Sequence, residues 1–78
     1  MSARILTVYS REGCGLCEEL LAELGPWAAA HRATIRVVDV DEDAVLARRY
    51  GLRVPVLEFD GEPIGFGRVD LSLLDRYT

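Results

Sequence analysis

The chain has 78 residues, with nine arginines, no lysine and thirteen acidic residues, which gives a formal net charge of −4. Half of the residues are hydrophobic, so the composition predicts one small folded domain and argues against a disordered segment. The acidic balance argues against nucleic-acid binding, because phosphate contacts need clustered positive charge. No apolar run has the length of a membrane-spanning helix or a signal peptide, so we expect a cytoplasmic monomer that binds neither nucleic acid nor membrane.

The first half of the chain predicts a strand followed by a helix. Residues 5–9 are apolar and largely β-branched, which favours a buried strand. From about Gly15 the apolar residues recur at helical spacing. The apolar face of this helix comprises Leu16, Leu20, Leu21 and Leu24. Pro26 lacks an N–H and clashes with the preceding turn, so we expect Gly25-Pro26 to end or kink the helix, which resumes over residues 27–31.

The middle of the chain predicts a second strand, a second helix and a third strand. Residues 35–38 form another β-branched run. Asp41 is placed to cap a helix over residues 42–50, and Gly51 is placed to end that helix. Residues 54–59 then predict the third strand.

The last part of the chain predicts a hairpin and a closing helix. Asp60-Gly61 is a hairpin turn dipeptide, after which residues 62–66 form a fourth strand. Asp70 caps a short helix through Leu74. The order β-α-β-α-β-β-α predicts an α/β fold with one four-stranded mixed sheet and flanking helices. Helical connections predict parallel strands, and the tight turn predicts one antiparallel hairpin.

The two cysteines of the chain, Cys14 and Cys17, lie where the first predicted strand leads into the first helix. A bridge between residues three apart closes a very short loop and adds little stability. The free N–H groups and partial positive charge of a helix N-terminus favour a thiolate at Cys14. Cys17, deeper in the helix, is placed to attack a mixed disulfide formed at Cys14. The pair therefore predicts a thiol–disulfide oxidoreductase with Cys14 as nucleophile and Cys17 as resolving thiol.

The residues around the pair leave alternatives open. Arg11 is a candidate to support the thiolate, while Glu12 and Glu18 act against it. A structural zinc site within one chain is disfavoured, because His31 is the only further cysteine or histidine. A metal or iron–sulfur carrier that uses the same cysteines across a dimer remains an alternative, as does a binding module without turnover. For the oxidoreductase we expect no bound cofactor.

Three segments resemble the thioredoxin superfamily and, within it, the small glutaredoxin-like proteins. Residues 8–17 read Val-Tyr-Ser-Arg-Glu-Gly-Cys-Gly-Leu-Cys, with a basic residue three positions before the first cysteine. Residues 50–57 contain Val54-Pro55 and look like the segment that leads into the superfamily's cis-proline. Residues 61–65 resemble the hairpin that follows. The resemblance covers nearly the whole chain and implies a thioredoxin-like fold.

The resemblance implies that the Val54–Pro55 peptide bond is cis and packs beside Cys14. Taken by itself, Pro55 also fits the first position of a strand, where no N–H is needed. In the family, the backbone of the residue before this proline pairs with a bound peptide or with glutathione, as an added strand would. Val54 is the residue placed for that role.

The resemblance also implies glutathione as a co-substrate. The candidate residues for that site are Arg53, Gly65 and Asp70, although Asp70 is equally explained as a helix cap. Four arginines form either a positive rim for a carboxylate or a solvated surface; they are Arg48, Arg49, Arg53 and Arg68. The expected partners are a protein disulfide or a glutathione mixed disulfide, together with a reductase.

Overall fold

Strands and helices alternate along the chain in the predicted order. The computed structural model describes residues 4–77. The strands are β1 (Ile5–Ser10), β2 (Thr34–Asp39), β3 (Val56–Phe59) and β4 (Glu62–Phe66), and the helices are α1 (Gly15–His31) and α2 (Ala44–Tyr50). Two 3₁₀ segments, Val40–Glu42 and Leu71–Tyr77, lie before α2 and after β4. The predicted α/β architecture is confirmed, with the closing helix formed as a 3₁₀ helix.

The strands form one mixed sheet in the order β2-β1-β3-β4. β1 runs parallel to β2, with Ile5 opposite Thr34. It runs antiparallel to β3, with Leu6 opposite Phe59. The prediction of parallel pairing is confirmed for β2 and wrong for β3.

The lengths of the two connecting helices explain this difference. α1 has 17 residues, or about 26 Å of helix, which is enough to carry the chain back along a six-residue strand of about 20 Å. α2 has seven residues and spans only about 10 Å. The chain therefore enters β3 at the end of the sheet where β2 finished, and β3 runs antiparallel to β1.

α1 continues through Pro26 as a single helix. An end of the helix at Gly25-Pro26 is therefore wrong, and residues 27–31 belong to the same helix; a kink at Pro26 stays a prediction. Leu24 and Ala28 are buried on either side of the exposed proline. Their burial on one continuous apolar face holds both halves of the helix on the sheet, which offsets the hydrogen bond that proline cannot make.

α2 begins at Ala44, and its N-cap is Asp43 rather than the predicted Asp41. Asp43 accepts hydrogen bonds from the backbone N–H of Val45 at 2.8 Å and of Leu46 at 3.3 Å. Asp39 caps the preceding 3₁₀ segment by accepting from the N–H of Asp41 at 2.9 Å. The prediction that Asp41 caps a helix starting at residue 42 is wrong, because this acidic run offers several caps and burial of Val40 sets which ones are used.

The predicted hairpin turn is confirmed. Asp60 and Gly61 both have positive φ, 50° and 84°, as a two-residue type I′ turn requires. The Asp60 carboxylate also accepts a hydrogen bond from the N–H of Ile5 at 2.8 Å, which ties the hairpin to β1. Asp70 accepts from the N–H of Ser72 at 2.9 Å, as predicted for a cap.

The core lies between one face of the sheet and α1. Side chains with no exposed surface in this layer are Leu6, Val8, Leu24, Leu57 and Leu74. The ring of Phe59 stacks on Tyr77 with centroids 4.7 Å apart and meets the edge of Trp27 at 6.2 Å. No helix within residues 4–77 combines the length and the apolar character needed to cross a membrane.

Candidate functional site

The two cysteines lie at the N-terminus of α1, as predicted. Cys14 is the N-cap residue and is half-buried, while Cys17 lies in the first turn and is 1% exposed. Gly13, just before the helix, has a φ of 77°, which glycine adopts without a Cβ penalty. The loop after β1 therefore turns sharply and presents Cys14 as the more accessible sulfur.

The Cys14 and Cys17 sulfurs are at disulfide-bonding distance, with their Cα atoms 5.2 Å apart. The Cys14 sulfur accepts a hydrogen bond from the backbone N–H of Cys17 at 3.2 Å. This N–H is one of the groups at a helix N-terminus that lack an intrahelical partner. The same geometry stabilises negative charge on the Cys14 sulfur once the disulfide is reduced.

The Val54–Pro55 peptide bond is cis, as the resemblance implies. The Val54 carbonyl oxygen lies 4.0 Å from the Cys14 sulfur, and Pro55 is fully buried. The Pro55 carbonyl oxygen accepts a hydrogen bond from the N–H of Gly67 at 2.8 Å, which joins this turn to the end of β4. The backbone of Val54 is thus held beside the more accessible sulfur.

Arg11 forms a two-point contact with Asp41. Its Nη2 and Nε donate to the two carboxylate oxygens at 2.6 and 3.2 Å, and its Nη1 donates to the Gly51 carbonyl oxygen at 2.8 Å. The hydrogen bonds between Arg11 and Asp41 lower the pKa of Asp41 and raise the pKa of Arg11. Because its charge is paired, support of the Cys14 thiolate by Arg11 stays a prediction, and what the contacts establish is that Arg11 fastens the cysteine loop to α2.

Gly51 has a packing role that sequence reasoning missed. Its C-cap φ is −53°, in the right-handed region, so the residue is not needed for a left-handed turn. A Cβ at this position would overlap the Ala47 carbonyl oxygen and lie 3.4 Å from Nη1 of Arg11. The absence of a side chain lets Gly51 pack against the Ala47 carbonyl oxygen, and its own carbonyl oxygen accepts a hydrogen bond from Arg11. No local pattern indicates this contact, which joins positions forty residues apart.

Two grooves border the site on different sides. The acidic groove has a volume of about 350 Å³ and is lined by Glu12, Cys14, Cys17, Glu18, Val37 and Asp39. The arginine–aromatic groove has a volume of about 240 Å³ and is lined by Tyr50, Arg53, Val56, Glu58, Pro63 and Phe66. The second groove lies along β3 and β4, immediately after the Val54–Pro55 turn.

Tyr9 contacts two residues that line the arginine–aromatic groove, and sequence reasoning did not single it out. Tyr9 donates to the Glu58 carboxylate at 3.2 Å, and its ring lies 4.7 Å from that of Tyr50. Burial raises the pKa of Tyr9, and the neighbouring Glu58 raises it further. The alternation of β1 predicts that Tyr9 faces away from the α1 layer, but its partner on β3 follows only from the register of the sheet.

The three candidate glutathione residues each have another contact. The Arg53 guanidinium lies 5.5 Å above the Phe66 ring, and Gly65 lies against Val69. Hydrogen bonding to the backbone of Ser72 lowers the pKa of Asp70. A glutathione site at these residues stays a prediction. Within residues 4–77 no group of three or more Cys, His, Asp or Glu is arranged to hold a metal ion.

Comparison with solved structures supports the fold. A protein from Nitrosomonas europaea, solved by NMR, is 33% identical, with 99% of this chain and 93% of that chain covered and a TM-score of 0.85. A protein from X. campestris is 36% identical, with 92% of each chain covered and a TM-score of 0.66. A variant thioredoxin from Halobacterium salinarum is 31% identical, with 97% of this chain and 72% of that chain covered and a TM-score of 0.68.

Comparison with family models identifies the chain's relatives. No curated protein matches the sequence. The model of the glutaredoxin-like domain (DUF836) matches residues 5–77, which includes both cysteines, the cis-proline turn and the closing segment. The chain therefore belongs to the glutaredoxin-like domain family (DUF836) and has a thioredoxin-like fold.

Proposed function

We propose that the protein is a small thiol–disulfide oxidoreductase. The observation that carries the proposal is the Cys14–Cys17 pair at the N-terminus of α1, beside the cis Val54–Pro55 turn. The likeness to a thioredoxin from Halobacterium salinarum supports it. Accessible Cys14 and buried Cys17 suit the two different steps that such a reaction needs.

In the first step, the Cys14 thiolate attacks one sulfur of a substrate disulfide. A bond forms between the Cys14 sulfur and that substrate sulfur, and the other substrate sulfur leaves as a thiolate. In the second step, the deprotonated Cys17 sulfur attacks Cys14, so that the Cys14–Cys17 disulfide forms and the remaining substrate thiolate is released. Two electrons pass to the substrate, and a reductase or two molecules of glutathione return them to the pair.

Two other features contribute to the proposed reaction. The backbone of Val54, held beside Cys14, pairs with the extended chain that carries the substrate disulfide. Arg11 keeps the cysteine loop against α2 through Asp41 and Gly51. The proposed substrates are a protein disulfide or a glutathione mixed disulfide. The proposed location is the cytoplasm, because a reducing compartment returns the dithiol to its active form. The proposed oligomeric state is a monomer.

Single cysteine variants test the proposal. With 2-hydroxyethyl disulfide as a small neutral substrate, we expect Cys14→Ser to lower turnover by at least about a hundredfold, since no thiolate remains to attack. Cys17→Ser is expected to stop after the first step and to accumulate a mixed disulfide at Cys14, detected by mass spectrometry. Thermal unfolding of each variant serves as the control for folding.

Other outcomes would contradict the proposal. Unchanged turnover in both variants would exclude the dithiol mechanism. A wild-type protein that purifies with stoichiometric metal, lost on Cys14→Ser, would support a metal or iron–sulfur carrier instead. A Cys14–Cys17 disulfide that does not exchange with added dithiol would indicate a binding module without turnover.

A further inference from the structure

The acidic groove reaches both sulfurs from the side of α1 and β2. Its apolar lining comes from Leu21 on α1 and Val37 on β2, and Val37 is 53% exposed. Exposed apolar surface next to a nucleophilic sulfur is available to a substrate side chain. A residue that neighbours the substrate cysteine therefore comes to lie in or beside this groove when Cys14 is attacked.

The charges of the groove are strongly unequal. Glu12, Glu18 and Asp39 contribute carboxylates, whereas Arg11 is its one basic residue. The Arg11 charge is already paired with Asp41, which lies outside the lining. Glu12 and Glu18 form no hydrogen bond or ion pair within residues 4–77 through their carboxylates, so their charges are open to an incoming group.

We infer that the acidic groove takes an arginine or lysine side chain of the substrate, placed next to the substrate cysteine. This inference rests on the proposed function, because it names the substrate class of the same dithiol. The long apolar stems of arginine and lysine pack on surfaces such as that of Leu21 and Val37 while their charged ends stay near water. The carboxylates of Glu12 and Glu18 complement the charged end.

The same charges disfavour acidic substrates on this side. A carboxylate in the groove meets three others, and like charges in close proximity repel. A cationic side chain has a second effect, because it offsets the negative field of Glu12 and Glu18 while the Cys14 sulfur is a thiolate. Both effects raise the rate of attack on a disulfide flanked by a basic residue.

A competition between two peptides tests the inference. Cys17→Ser protein is mixed with equal amounts of two symmetrical peptide disulfides, Gly-Arg-Cys-Gly and Gly-Glu-Cys-Gly, each blocked at both ends. Mass spectrometry measures the ratio of the two mixed disulfides at Cys14. Adding Glu18→Gln is expected to lower the ratio of arginine to glutamate peptide about threefold, and adding Glu12→Gln as well about tenfold, as expected for exposed ion pairs.

Glu23→Gln is the matched control. It removes the same charge from the same helix, but Glu23 does not line the acidic groove. An unchanged ratio in this control, with a lowered ratio in Glu18→Gln, supports the inference. Equal shifts in the two variants, or no shift in either, would overturn it, because net charge or peptide chemistry alone would then set the ratio.

A second measurement separates this inference from the proposed function. Turnover of a neutral Gly-Ser-Cys-Gly disulfide by the wild-type dithiol reports on the oxidoreductase activity itself. Turnover without any preference among the three peptides would retain the proposed function and overturn the inference. A charge-dependent ratio at Cys14 without turnover would retain the groove's preference and overturn the oxidoreductase, since the competition needs only one thiol exchange.

Discussion

The two grooves beside the cysteine pair differ in how their charged groups are used. In the acidic groove, Glu12 and Glu18 have free carboxylates within the described chain, and the one arginine is paired with Asp41. In the arginine–aromatic groove, the Arg53 cation lies over the ring of Phe66 at 5.5 Å. One side of the site thus offers open negative charge. The other offers a cation held against a ring and a Glu58 carboxylate that is hydrogen-bonded to Tyr9.

This comparison shows why net charge alone is a poor guide to the partner. The acidic total argues against nucleic acid, but it does not describe the surface around Cys14. Four measurements, from the largest expected effect to the smallest, test whether the two sides differ in structure and in preference.

The largest loss of stability is expected from a substitution at Gly51, where Arg11 joins the cysteine loop to α2. Gly51→Ala places a Cβ against the Ala47 carbonyl oxygen and near Arg11, so we expect a loss of about 2 kcal/mol in the free energy of unfolding. Urea denaturation measures it. Gly25→Ala is the matched control, because its Cβ meets open space, and we expect it to stabilise α1 by up to about 1 kcal/mol.

Substitutions at Asp70, a candidate glutathione residue, distinguish a structural role from glutathione binding. Asp70→Ala removes the hydrogen bond to the N–H of Ser72, and we expect a loss of about 1 kcal/mol in unfolding free energy. Asp70→Asn retains capping and should lose much less. If the KM for a glutathione mixed disulfide rises in both variants, Asp70 instead binds glutathione.

Arg53 tests the preference of the arginine–aromatic groove. If its cation attracts the carboxylates of glutathione, Arg53→Ala should lower kcat/KM for a glutathione mixed disulfide about threefold. Turnover of the arginine-flanked peptide should not change. Arg36→Ala, at an exposed position on β2, is the control, and an equal effect there would mean that net charge rather than this groove sets the rate.

The ion pair of Arg11 and Asp41 predicts a small dependence of stability on acid pH. The pKa of Asp41 is lower in the folded protein than its ordinary value of 3.8, so the pair adds stability that is present above that value. This contribution is lost as the pH falls through the lower folded pKa. In Asp41→Asn, the unfolding free energy measured between about pH 5 and pH 2.5 should depend less on pH than in wild type. Glu42→Gln is the control for the loss of one acidic group from the same segment.

Local patterns were sufficient for most of the elements. The apolar, β-branched run of β1, the helical spacing from residue 15 and the turn-forming Asp60-Gly61 pair each depend on neighbouring residues, and the structure has all three elements. The helix does not end at Pro26, because burial of the helix face, a tertiary effect, outweighs the local effect of proline. Asp41 does not cap α2, because the neighbouring Asp39 and Asp43 take the capping roles.

The position of the cysteine pair was also evident from sequence. Cys14 and Cys17 lie between a strand pattern and a helix pattern, and the resemblance to glutaredoxin-like proteins added the cis-proline beside them. What sequence reasoning missed is the set of contacts that hold the site. The pairing of Arg11 with Asp41 and with Gly51 joins positions thirty and forty residues apart, and no periodicity links them.

The sequence by itself therefore determined the order of the elements, the dithiol at a helix start and the family. These properties depend on residues close together in the chain, where propensity, capping and spacing act directly. Only the tertiary structure decided the direction of β3, the partner of Arg11 and which charged groups line each groove. Those properties depend on how far each helix carries the chain and on which side chains the register of the sheet brings together, and both are set by packing across the whole domain.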